Sequence, residues 1–120
     1  MIMSFIQVRT MLADEISLAR ALLCTGDHES AMRHLERAHV LGQSFIGPHV
    51  MVHGLMLRVA VARRDAGAAL GQIARMVLGA IGSLVGVLPL GNTGGSDVSM
   101  FRAMPIPPDL ARLLDGGSDV

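Results

Sequence analysis

The chain contains no tryptophan and no tyrosine, and only three phenylalanines among its 120 residues. Its core must therefore be aliphatic, built from Leu, Val, Ile, Ala and nine Met. Cysteine is almost absent as well. Cys24 stands alone, which excludes an intramolecular disulfide and fits a reducing cytoplasm. No base is identifiable beside it, so a cysteine nucleophile is a poor reading. An excess of either charge is also missing: ten basic residues balance ten acidic ones. A nucleic-acid binder normally carries a basic surplus to neutralise phosphates, and a polybasic membrane-surface protein does so too. Neither class fits. The arginine pairs Arg33 and Arg37, and Arg63 and Arg64, read as solvated helix faces. Residues 1–10 lack a basic lead followed by a long apolar stretch, which predicts no signal peptide. Between residues 76 and 91 the only polar side chain is Ser83, yet this run falls short of the roughly 20 residues that a bilayer requires. Gly and Pro89 interrupt it further. It reads as a buried helix followed by an apolar turn, not as a membrane span.

What the chain has in abundance is apolar side chains, 51% of the total. That exceeds the need of one small core. The surplus predicts a covered partner surface, most simply in a homodimer.

Helical periodicity organises the first two thirds. Val8, Leu12, Ile16, Ala19 and Leu23 recur at helical spacing and predict a helix over 4–24. Gly26 ends it and Asp27 caps the next, expected over 28–42 with Ala31, Leu35, Ala38 and Gly42 on one face. Small residues at 31 and 38 let the two helices approach, a pattern similar to a tetratricopeptide hairpin. A shift of 38 residues aligns Asp27 with Asp65, Ala31 with Ala69, Leu35 with Ile73 and Arg37 with Arg75. The second copy is degenerate, because Arg64 stands where Gly26 stood. A connector over 42–48 leads to a third helix, 48–63, with Pro48 at its first position and apolar residues nearly all round. The fourth helix is expected over 66–84. Two hairpins are too few for an open solenoid. The expected fold is all-α: a single domain, residues 1–120, with a compact core of about four helices over 4–84. A Gly/Pro-rich strap over 85–108 follows, anchored by Phe101, Met104 and Ile106. A short helix over 109–114 and a frayed tail over 115–120 complete it.

All five histidines lie between positions 28 and 53. His49 and His53, four apart on a buried helix, project from one face. A buried imidazole is costly unless both nitrogens find partners, and a shared metal ion would satisfy one nitrogen of each. Glu36 and His39 form an E-x-x-H pair of the kind that binds metal in helical bundles. The connector is short, so His39 should face His49 and His53. The predicted metal ligands are Glu36, His39, His49 and His53, around zinc, iron or copper. His34, about 140° around the helix from His39, reads as the edge of the hairpin interface. His28 reads as exposed. Glu15 reads as a rim salt bridge or an additional ligand. The stretch 91–96, with Asn92 and Thr93 at its centre, offers backbone N–H groups that could cradle an anion, but it lacks the Gly-Lys-Ser/Thr ending of a nucleotide loop.

Three motifs then recur in order: HLERAHVLGQ over 34–43, the pair His49 and His53, and LPLGNTGGSDVSMFRAMPIPPDL over 88–110. Together they resemble a family of short bacterial proteins catalogued only as a domain of unknown function. The likeness runs from about residue 22 to 114. It implies a bacterial, cytoplasmic protein without an assigned activity, and such proteins often accompany metal-handling genes. The family pattern covers Glu36, His39, His49, His53, Asn92 and Thr93, and also His34. Two functions are therefore expected as alternatives. One is a metal-binding protein or small metalloenzyme, in which an open coordination position would serve metal-activated water chemistry on a small-molecule substrate. The other is a tetratricopeptide-like interaction module whose histidines are structural.

Overall fold

Two chain reversals of the same design set the architecture. At the first, Gly26 takes a left-handed backbone (φ +80°). Its N–H donates to Leu23 O, and the N–H of Asp27 reaches back to Leu22 O. The Asp27 carboxylate then accepts from Ser30 N at 3.1 Å and starts the next helix. Thirty-eight residues on, each step recurs. Arg64 is left-handed (φ +56°), its N–H donates to Val61 O and that of Asp65 to Ala60 O. Asp65 in turn accepts from Ala68 N at 2.9 Å. The internal repeat is thus real at the level of the turn, although Arg64 occupies a conformation that glycine adopts at no steric cost.

The computed structural model describes residues 2–43, 45–85, 94–95 and 102–115. Among them are five helices and no strand: α1 (Ile2–Thr25), α2 (His28–Gly42), α3 (Ile46–Ala62), α4 (Ala66–Val85) and α5 (Pro108–Leu114). The all-α expectation is met. α1 pairs with α2 and α3 with α4; α2 also packs on α3, and α5 lies across α1 and α2. Ala31 and Ala38 are fully buried, as close approach of α1 and α2 requires. The aliphatic core runs through Leu12, Ala19 and Leu23 of α1, Leu35 of α2, Val52 and Met56 of α3, and Leu110 of α5. No helix among the described residues is long and apolar enough to cross a membrane.

Several boundaries differ from expectation. α3 starts at Ile46, two residues early, so the connector shrinks to 43–45 and Pro48 is the third helical residue. Its missing N–H is still harmless, because the first four N–H groups of a helix have no intrahelical partner. Nor is α3 buried all round: Met51 and Val61 are exposed. Of the predicted strap, 85 and 108 belong to α4 and α5, and the other described residues, 94–95 and 102–107, are neither helix nor strand. Ile106 packs on the core, whereas Phe101 lies outside the described residues.

Arg64→Gly should raise stability by about 0.5–1 kcal/mol, since roughly 1–2 kcal/mol of left-handed strain is relieved against a smaller gain in unfolded-chain entropy. Urea unfolding of the two proteins checks this. A midpoint that stays put or falls would contradict the repeated-turn geometry.

Candidate metal centre

The short connector brings the last turn of α2 beside the first turns of α3. His39 lies one turn from the end of α2, while His49 and His53 are one turn apart on the face of α3 that meets it. All three side chains are buried. Their Nε2 atoms form a nearly equilateral triangle: His39–His49 3.0 Å, His39–His53 3.0 Å and His49–His53 3.1 Å. The His39 ring stands at 72° to each of the others. Among the described residues these three form the group able to hold a metal ion.

The triangle has a specific chemical consequence. A ring nitrogen either carries a proton and donates, or presents a lone pair and accepts. Three atoms with two roles cannot give every pair one donor and one acceptor. At least one contact must set like against like, in a setting with little water to relieve it. A cation at the centre of the three lone pairs removes the conflict.

Neighbouring groups set the required protonation. Gln72, on α4, donates through Nε2 to the carbonyl of Gly94 at 3.0 Å. That fixes which end of its amide is nitrogen. Oε1 therefore faces His53 Nδ1 at 2.7 Å, and Nδ1 must carry the proton. The Nε2 lone pair of His53 is left aimed at the other two rings. This is the arrangement by which ligating histidines are oriented, through a hydrogen bond on the opposite nitrogen. Burial holds His49 neutral, with a pKa lowered to about 4, and nearby His53 adds to the effect. Burial also lowers His53; Gln72 opposes the shift and the Arg75 cation reinforces it. Neutral imidazole is the form that binds a metal.

Two glycines complete the enclosure. Gly94 has φ +78°, and a Cβ there would come within 2.5 Å of His39 Cδ2. At Gly79 on α4, a Cβ would stand 3.2 Å from His49 Cε1. The Gly-rich stretch thus reaches the histidines at Gly94. Asn92 and Thr93, expected to bind a ligand, lie outside the described residues.

Glu36 is not in the triad's group. It is half-buried on α2 and lines a cavity of about 320 Å³ with Met32, Met56, Arg63 and Gln72. His34 is spatially separate: its Nδ1 meets the buried Glu15 carboxylate at 2.6 Å. Arg37 Nε donates to the other Glu15 oxygen at 2.7 Å and also bonds Asp109, tying α5 to the α1–α2 hairpin. Asp109, then Glu15, raise the Arg37 pKa further above its ordinary value. Glu15 is therefore an ion-pair partner, as one of its two expected roles had it. His28 is half-buried, not exposed.

Fold and site together define a small all-helical protein with a buried three-histidine cluster. The chain belongs to the family described as protein of unknown function (DUF3703), whose model matches residues 6–114. No curated protein and no solved structure matches it.

Two measurements follow. Between pH 6.5 and about 4 the unfolded chain takes up a proton that folded His49 refuses, so the metal-free protein should lose stability as pH falls through that window. Denaturant midpoints at pH 7.5 and 5 would show it, and equal midpoints would contradict buried neutral histidines. If the triad holds zinc, Gln72→Ala should weaken that binding about 10- to 100-fold, because it removes the acceptor that fixes His53 Nδ1. Calorimetry that found unaltered affinity would remove Gln72 from the site.

Proposed function

We propose that this protein binds a transition-metal ion through Nε2 of His39, His49 and His53. The observation that carries the reading is the 3.0–3.1 Å triangle of nitrogens, which no placement of protons satisfies. An ion held there would be bound by the three Nε2 atoms together, since their spacing is compatible with metal–nitrogen bonds of about 2.0–2.1 Å. Imidazole suits zinc, iron and copper, and three neutral histidines leave the metal's positive charge uncompensated. Bound by these residues, such an ion would supply Lewis-acid chemistry, acidifying water or polarising a small substrate's carbonyl or phosphoryl oxygen. We assign Glu36, which lines a cavity with Gln72, the role of proton acceptor or guide for the ion on its way in. The competing reading, an interaction module with structural histidines, would call for a polar concave groove. The groove between α1 and α3 is apolar, lined by Leu12, Ile16, Phe45, Pro48 and Met51 beside Arg9, and the polar cavity lined by Glu36, Arg63 and Gln72 shares Gln72 with the histidine cluster.

Elemental analysis of untagged protein after loading tests the proposal. The parent should retain about one equivalent of zinc, iron or copper, and His49→Ala/His53→Ala should retain almost none while keeping its helical circular dichroism. A parent that takes up none of the three metals sinks the reading; full uptake by the double variant sinks the choice of ligands.

A further inference from the structure

α4 has two faces with opposite fates. One carries Gln72 and Gly79 against the histidines. The other bears Leu70, Ile73, Ala74, Val77, Leu78 and Ile81, and every one of them is exposed. At 100° per residue these six fall within an arc of about 140°, and no charged or polar side chain interrupts it. The only charged residue of the whole helix, Arg75, points elsewhere and donates to Gly71 O.

The internal repeat shows that the exposure is unusual. Leu35 of α2 is fully buried, whereas its counterpart Ile73 is 47% exposed. The α1–α2 hairpin is covered at this position and the α3–α4 hairpin is left open.

We propose that the open face of α4 is the contact between two copies of this chain, packed about a two-fold axis with their α4 helices antiparallel. Three features select a second copy as the occupant. First, the face holds no charge by which a foreign partner would be recognised, and it complements itself. An antiparallel register centred between Ala74 and Val77 sets Leu70 against the partner copy's Ile81 position and Ile73 against its Leu78 position. Ala74 then meets the partner copy's Val77 position at the centre, where the helices approach most closely. Spacings of four and three along 70, 74, 77 and 81 are those of a two-helix seam. Second, the antiparallel arrangement sets the partially positive N-terminal end of each α4 beside the partially negative C-terminal end of the other. Third, the area is of the right order. The five large side chains are 47–68% exposed and present about 500 Å² of apolar surface, near the upper limit for a monomer. Two such faces with their flanks approach the roughly 1,200 Å² at which specific interfaces begin.

Sedimentation analysis of the metal-free full chain provides the test. At chain concentrations of about 100 µM, the parent should show twice the chain's 12.7 kDa. Val77→Glu should show the single mass with unaltered helical circular dichroism. A second arm does not depend on that variant folding: Val77→Cys in a Cys24→Ser background should be joined into a covalent dimer by a short bis-maleimide. A parent of single mass overturns the proposal, whether it stays free in solution or collects on lipid vesicles. So does a dimer that neither responds to Val77→Glu nor cross-links at position 77.

Discussion

Three equivalent ring nitrogens stand within 3.1 Å of one another in a buried site, and hydrogen bonding cannot reconcile them all. Much of the rest of the molecule can be understood as the framework that holds them there. α2 and α3 are joined by three residues, so the rings at the end of one helix and the start of the next have nowhere else to point. α4 supplies the amide that fixes the His53 tautomer, and Gly94 supplies the carbonyl that fixes the amide. Each link determines the orientation of the next, and the chain ends at a lone pair directed to the centre.

The remaining structure stabilises this arrangement at a distance. Turns of one design hold both hairpins, the second at the cost of a left-handed arginine. Glu15, a buried carboxylate, is neutralised by Arg37 and bonded to His34, and the same arginine fastens α5 through Asp109. Burying one carboxylate with two partners avoids the penalty that an unpaired charge would carry. It also keeps that carboxylate occupied and away from the triad.

Much of this was legible beforehand where a local rule governs the outcome. The capping residues Asp27 and Asp65 located two helix starts, and the four-residue spacing of His49 and His53 located one side of the site. His39 followed from the brevity of the connector. Other parts rest on contacts between distant segments. Gln72 carries no local signal of its role, because nothing in helical period says which face of α4 will meet His53. Gly94 belonged to a Gly-rich stretch whose reach depends on tertiary packing. Glu36 shared an E-x-x-H spacing with His39, yet a residue three positions earlier on α2 faces the cavity with Gln72 and lies outside the nitrogen cluster.

The most direct test of the account is the local structure around a bound ion. X-ray absorption on the zinc-loaded protein should give a first shell containing about three imidazole nitrogens at 2.0–2.1 Å, with the outer-ring scattering that histidine produces. A shell without imidazole, or one dominated by sulfur near 2.3 Å, would contradict it.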